Sequence, residues 1–481
     1  MYKQTFKKAL IGTLLFVLLL PSLSSAQGDV NYQPEWESLA QHQSVPDWMR
    51  DAKFGIYVHW GVYSVPAYGN EKYMKHMYKD TGFSVFGTYK RHKAIYGPLT
   101  EFGYEDFIPM FKAKKFNADK WAMLFKQGGA RFAGLVGEHH DGFSMWASKV
   151  TPFNAKDMGP HQDIVGALSK AIRKHDMHVF ISLHHGHNYD YVTDIKPSWT
   201  AANPKYQKLY GSTMPRDKWL QMWLDKCNEV VDMYHPDIMY FDAWLKDIPD
   251  SLVQNYLSHY FNTSEKRGQH VAVAYKNNDL PSDVGMLDYE NTHPDSIMDQ
   301  PFLCDFPIGT GQSYSWGYTA DMKIRSAKNI VQTLIGVVSK NGQMLLNLSP
   351  KADGTIPEDQ KNTVLRVGRW LWTYGESIYG TRPFSSFGEK LSSGIQVYYT
   401  QKEKAHKIYA IFLGWPGANS SFLLKKINPD SFSGTIKKIT LLGFKENSNC
   451  SFKMTNEGLK VEIPEARLPD DIAVVLRIET K

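Results

Sequence analysis

Residues 236–242 read Pro-Asp-Ile-Met-Tyr-Phe-Asp. Four apolar or aromatic residues in succession are too few for a helix face. They suit a strand buried on both sides, as in a parallel sheet. The run ends on a carboxylate, Asp242. A charge at the end of a buried strand costs free energy unless neighbours compensate it. Asp242 is therefore either a helix N-cap or a working acid held ionised by hydrogen-bond donors, for which His139 and His140 are candidates.

Seven further runs of this kind surround it, giving eight candidate strands: Phe54–Trp60, Arg131–His139, His178–His185, Ile238–Trp244, His270–Lys276, Gly285–Glu290, a stretch around Tyr314–Tyr318, and Gln343–Ser349. Helical segments separate many of them. Ile324, Ala327, Val331, Leu334, Ile335 and Val338 keep helical spacing before the last strand. Strands alternating with helices predict a (β/α)8 barrel over residues 27–385. A doubly wound open sheet is the alternative, but no glycine fingerprint follows the first strand. After Thr381-Arg382-Pro383 the texture changes to strand only, with Ile395–Tyr399, Ile408–Leu413, Leu459–Ile463 and Ile472–Ile478 separated by turn residues. This predicts a C-terminal antiparallel β-sandwich over 386–481.

The N-terminus reads as an export signal. Lys3, Lys7 and Lys8 precede an apolar run from Ala9 to Leu20, and Ser24-Ser25-Ala26 offers a small-residue cleavage site before Gln27. Residues 1–26 are thus expected to be removed, which predicts a periplasmic or secreted protein, bacterial by its few cysteines, with no membrane attachment after cleavage. The formal charge of +6 loses three lysines with the leader and no acid, leaving 6 − 3 = +3. So small a charge argues against a nucleic-acid partner. Cys227, Cys304 and Cys450 stand at wide spacing and in odd number, neither a disulfide framework nor a zinc ribbon. The sequons at Asn262, Asn347, Asn419 and Asn449 matter only in a glycosylating host.

Chemistry in a barrel gathers at the C-terminal strand ends. Here those ends read His59-Trp60-Gly61, Glu138-His139-His140-Asp141, His184-His185, Tyr240-Phe241-Asp242, Asp288-Tyr289-Glu290, and a region near Trp316. The set holds carboxylates, imidazoles and indoles, with neither a serine elbow nor a phosphate loop. Aromatic rings pack against the C–H face of a sugar while polar neighbours take its hydroxyls. Two carboxylates flanking one bond are what glycoside hydrolysis needs. The 14% aromatic content is more than a core requires, which suits such a site.

The chain resembles the α-L-fucosidases of glycoside hydrolase family 29. The similarity runs through Lys53–Glu71 (Lys-Phe-Gly-Ile-Tyr-Val-His-Trp-Gly-Val-Tyr-Ser-Val-Pro-Ala-Tyr-Gly-Asn-Glu) and Glu138-His139-His140-Asp141-Gly142-Phe143. It continues through Tyr240-Phe241-Asp242, Ser315-Trp316-Gly317-Tyr318 and Leu345–Pro357. The resemblance implies a barrel with a C-terminal sandwich, and retaining hydrolysis of fucosylated oligosaccharides or glycoconjugates without cofactor or metal. It puts the nucleophile on Asp242 and fucose contacts on His59, Glu71, His139 and His140, with Trp60, Tyr240 and Trp316 as pocket walls. One branch of the family carries Pro-Trp-Glu ahead of the Ser-Trp-Gly-Tyr motif. Here that place reads Pro301-Phe302-Leu303, followed by Cys304-Asp305. Asp288-Tyr289-Glu290 is similar to the Asp-x-Glu stretch of other members, so the acid/base falls on Glu290, with Asp305 and Asp288 as alternatives. Apolar neighbours are expected to raise its pKa. The histidines of Ser182-Leu183-His184-His185-Gly186-His187 depart from the family pattern and are further candidates for the pocket.

Two other functions compete. A metal-dependent hydrolase would use His139-His140-Asp141 with His184-His185-x-His187 as ligands. A fucose-binding relative without turnover would fit the missing Pro-Trp-Glu glutamate.

Overall fold

A computed structural model describes residues 31–80, 85–310, 315–444, 448–465 and 470–481. The predicted leader lies outside these residues. Among them no helix is long and apolar enough to cross a membrane.

Eight parallel strands form the first sheet: β1 (Phe54–Val58), β2 (Phe132–Glu138), β3 (His178–Leu183), β4 (Ile238–Phe241), β5 (Ala272–Tyr275), β6 (Met286–Leu287), β7 (Phe302–Pro307) and β8 (Gly342–Leu348). They are ordered β6-β5-β4-β3-β2-β1-β8-β7. A one-residue parallel bridge between Asp288 and Leu303 joins the two ends and closes the barrel. Six helices cover the outside: α1 (Ala118–Gln127), α2 (Ile164–Lys174), α3 (Arg216–Tyr234), α4 (Asp250–Glu265), α5 (Ala327–Val338) and α6 (Glu358–Tyr374). Three start on side-chain caps, where Asn117, Asp163 and Ser326 accept from the third backbone N–H beyond them.

The structure corrects the seventh strand. Ser315–Tyr318 is loop, and the strand is Phe302–Pro307. An aspartate inside the run and a proline at its end hid it from a search for apolar runs. No helix lies between β5 and β7, so the α/β alternation lapses there.

Side chains alternate across each strand. Tyr57, Phe132, Phe180, Ile238, Tyr240, Ala272, Ala274, Met286, Leu303 and Leu345 share one cluster inside the barrel, which Val45, Met49 and Ala52 extend. Ile56, Val58, Met239, Phe241, Val273, Tyr275, Met344 and Leu346 face the helices. This phase decides which strand-end residues reach the site.

The rest of the chain is antiparallel: β9 (Arg382–Lys390), β10 (Gln396–Lys402), β11 (Lys407–Phe412), β12 (Ser421–Leu424), β13 (Ile436–Leu441), β14 (Ser451–Thr455), β15 (Gly458–Glu462) and β16 (Val474–Thr480). They make a five-stranded sheet, β9-β10-β11-β16-β13, and a three-stranded sheet, β12-β15-β14. Phe412, Leu424, Leu459, Val461 and Leu476 belong to the core of this sandwich. The boundary expected at 385/386 falls within β9, whose Arg382 and Pro383 already pair with β10.

Candidate active site

Counting by twos from the barrel interior leads to the site. Ile238 and Tyr240 point inward, so Asp242 does too; Ala272 and Ala274 lead to Lys276; Met286 leads to Asp288 and Glu290; Leu303 leads to Asp305; Tyr57 leads to His59. His59, Glu71, His139, His140, Asp242, Glu290, Asp305 and Trp316 line one cavity of about 240 Å3, together with His184, Trp244, Lys276, Asn277 and Lys72.

Two predicted wall residues are not brought to it. Trp60 has the opposite phase to His59. It packs outward against Phe111, Phe116 and Trp121, and its Nε1 donates to the Lys351 carbonyl at 2.8 Å. Tyr240 lies one layer below Asp242, fully buried, and its hydroxyl donates to Asp288 (3.1 Å) and Asp305 (3.3 Å). It supports the floor rather than a wall.

Lys276 is the residue the sequence reading missed. Its Nζ lies 2.8 Å from Asp242 Oδ1, 2.9 Å from Glu290 Oε2 and 3.8 Å from Asp305 Oδ2. It ends the apolar run of β5 as Asp242 ends that of β4, so the same strand-end rule would have found it. Burial alone would lower its pKa, but Asp242, Asp305 and Glu290 raise it well above the usual lysine value. It is therefore an ammonium.

For Asp242, burial pushes the carboxyl up, and Lys276, His184 and His140 outweigh it, holding the group well below the usual carboxylate range. Oδ2 lies 3.4 Å from His140 Nε2 and 3.7 Å from His184 Nδ1. The histidines beside Asp242 are thus His140 and His184, not His139. Glu290 goes the other way. Burial raises its pKa, and Asp305 and Asp242 add to that against the pull of Lys276. The expected apolar effect is joined by an acidic one. Asp288 is pushed well up by burial and by Asp305.

Three imidazoles of the site are neutral. Burial lowers His59 to about 4 and holds His139 and His184 well below the usual range. His59 Nδ1 faces Asn347 Oδ1 at 2.8 Å, an oxygen that can only accept, so Nδ1 carries the proton and Nε2 is an acceptor. The Asn347 amide nitrogen donates to the Trp316 carbonyl, which fixes its orientation. Asn347 is fully buried, so its sequon is no glycan acceptor in the folded chain. Glu71 Oε2 accepts from Ser315 Oγ (3.1 Å) and from the backbone N–H of Trp316 (2.9 Å), tying the 315–317 loop to the site.

The other strand-end residues brace this layer. Glu138 pairs with Lys226 of α3 at 2.7 Å, both fully buried. Asp141 accepts from Tyr104 at 2.7 Å. Gly142 follows at φ +75°, where a Cβ would sit 2.1 Å from the Leu209 carbonyl oxygen. His185 packs on Trp223 and Cys227 behind the barrel. His187 stacks on Trp244 at 4.0 Å. Of the two runs proposed as a metal set, Asp141, His185 and His187 are thus engaged elsewhere, while His139, His140 and His184 do converge: nitrogens of His59, His139 and His184 lie within 4.8 Å of one another, as do ligand atoms of His140, His184 and Asp242. Trp244 lines the cavity with φ +81°, a left-handed conformation that is costly for a non-glycine residue.

A buried carboxylate held ionised, a second carboxyl whose pKa is raised, and neutral imidazoles beside them are a set suited to acid/base and nucleophilic work on a polyhydroxylated substrate. The comparisons agree with that set. The α-L-fucosidase family model matches residues 19–376, and the model of the α-L-fucosidase C-terminal domain matches residues 392–479. The chain belongs to the α-L-fucosidase family, glycoside hydrolase family 29. It is a glycoside hydrolase of that family. It is 33% identical to the tissue α-L-fucosidase of Bos taurus over 474 residues, covering 93% of this chain and 91% of that one. It is 32% identical to the human tissue enzyme over 484 residues, covering 98% and 96%. Among solved structures, the α-fucosidase of Thermotoga maritima in complex with fucose aligns with a TM-score of 0.75 at 29% identity, over 93% of this chain and 100% of that one.

Proposed function

We propose that the protein is an exo-acting, retaining α-L-fucosidase that removes terminal α-L-fucose from oligosaccharides or glycoconjugates. Asp242 attacks the anomeric carbon as Glu290 gives its proton to the leaving oxygen. Glu290, now a carboxylate, takes a proton from water, whose oxygen attacks the same carbon and releases Asp242. His59, Glu71, His139 and His140 bind the sugar, with Trp316 beside them.

The bridging lysine carries this reading. Asp242 Oδ1 lies 2.8 Å and Glu290 Oε2 2.9 Å from one Nζ, so those oxygens are at most 5.7 Å apart, the two distances laid end to end. Retaining enzymes hold their carboxyl groups about 5–5.5 Å apart, and inverting ones further. Glu290 is favoured over Asp305 as the acid because its side chain is 41% exposed while that of Asp305 is 1% exposed. Asp305 Oδ2 is also taken by Tyr57 at 2.9 Å. A leaving oxygen meets Glu290 first.

Early proton NMR of the released sugar should show the α anomer; first release of the β anomer would reject retention. Asp242→Ala should lose at least about a thousandfold in kcat, and azide should restore part of it. A variant active without azide would reject the nucleophile. Lys276 already supplies the positive charge Asp242 needs, so full activity is expected after EDTA. Loss with EDTA and return with zinc would favour the histidine cluster as a metal site. The leader supports export, for which the N-terminus of the mature protein should be Gln27. The barrel and sandwich divide, on this proposal, near Thr381.

A further inference from the structure

The helix Tyr73–Met77 follows directly on Glu71, and its flank is basic: Lys72, Lys75, His76 and Lys79. Lys72 is exposed and lines the active-site cavity together with Glu290 and Trp244. Lys75 lies about one turn further on. Its Nζ is 5.7 Å from the centre of the Tyr191 ring, and that ring packs edge-on against His187, which stacks on Trp244. Lys72 thus stands at the cavity with Trp244, and Lys75 stands behind the stack of Tyr191, His187 and Trp244.

Lys79 takes Asp194 at 3.5 Å, and the nearby Asp80 is taken by Lys196. Among the described residues no carboxylate pairs with Lys72 or Lys75. The segments 81–84 and 311–314 contain no acid in their sequence. The groups act on one another instead: burial, then Lys72 and Lys79, push Lys75 down, and burial, then Lys75 and Lys72, push His76 to about 4. Like charges gathered beside a cavity repel, and an anion placed among them relieves that repulsion. Deeper in the cavity acidic side chains outnumber basic ones, with Glu71, Asp242, Glu290 and Asp305 around the single Lys276. The positive field belongs to the mouth, outside the position of the fucose ring.

We infer that Lys72 and Lys75 select an anionic aglycone: fucose carried on a sugar that bears a sulfate ester or a carboxylate close to the fucosyl linkage. The inference rests on the fucosidase function proposed above and narrows its substrate class.

The test uses three fucosylated disaccharides that differ only in the second sugar: neutral galactose, its 6-sulfate, and the matching uronic acid. At low salt the intact enzyme should show kcat/KM about three- to fivefold higher for a charged substrate than for the neutral one, the scale of a partly exposed ion pair. High salt should erase the preference. Lys72→Gln/Lys75→Gln should bring the ratio to about one, and Lys72→Glu/Lys75→Glu below it. Each ratio is taken within one enzyme, so a general loss of activity leaves it readable. Preference for both charged substrates supports selection by charge; preference for one of them supports that anion as the ligand. Equal kcat/KM on all three, or a ratio unchanged in both double variants, would overturn the proposal while leaving the fucosidase standing. Hydrolysis of none of the three would overturn both.

Discussion

Lys276 sets the electrostatics of the site, because one ammonium touches both Asp242, whose pKa is held down, and Glu290, whose pKa is raised. Removing it has a signed consequence. On the proposed mechanism Asp242 must be ionised to attack, so activity is lost as pH falls through its pKa, which Lys276 holds down. In Lys276→Met the acid limb of kcat/KM should move toward neutral pH, with kcat falling by roughly ten- to a thousandfold. An unmoved acid limb would show that the histidines alone keep Asp242 ionised. On the same mechanism Glu290 must hold a proton, so activity is lost as pH rises through its raised pKa. Glu290→Gln cannot titrate: the alkaline limb should vanish, and kcat/KM on a natural glycan should drop roughly a hundred- to ten-thousandfold. An aryl fucoside, whose leaving group needs little protonation, should lose far less. The place of Asp242 at the site was legible in the sequence because a charge ending an apolar run stands out. Lys276 ends an equally apolar run, but a lysine there carries none of the local marks of glycoside chemistry, which are acids, imidazoles and rings.

At the scale of the element, β2 presents His139 and His140, and the pair behind it holds that strand end in place. Glu138 and Lys226 meet at 2.7 Å with no solvent access. A lone buried charge is far costlier than the pair or its apolar replacement. Lys226→Met should therefore destabilise the protein by about 3–5 kcal/mol in denaturant unfolding, and Lys226→Met/Glu138→Leu should recover most of it. A single variant as stable as the parent would mean that solvent reaches Glu138. Several of the barrel strands were readable as apolar runs because both faces of such strands are dry. β7 was not, since its inward phase carries Asp305, whose oxygen Tyr57 and Tyr240 satisfy from across the barrel. Trp60 and Trp316 were indistinguishable as strand-end indoles. Phase relative to Tyr57 sends the first outward, and only the loop anchored on Glu71 brings the second in.

On the whole-molecule scale, barrel and sandwich share a core. Tyr409, Ile411, Ile472 and Val475 of the sandwich belong to the same buried cluster as Trp370 and Leu334 of the barrel helices. Trp370 Nε1 donates to the Ala473 carbonyl at 3.0 Å, and Arg366 holds Asp470 with both nitrogens and Asp471 with one. Calorimetry should therefore give one cooperative transition, and a chain ended at Gly380 should be insoluble because α5 and α6 lose their cover. Two resolved transitions would show that the barrel folds alone. The sequence by itself determined the class of the fold and the residue types at the strand ends, because burial on both faces and the twofold alternation of side chains are written locally. It also carried the motifs by which the family was recognised. Tertiary structure alone decided which strand ends meet, which rings face the cavity, and that a lysine stands between the two carboxyl groups. Those facts depend on strand phase, barrel closure and loop anchoring across hundreds of residues, where no local pattern records the partner.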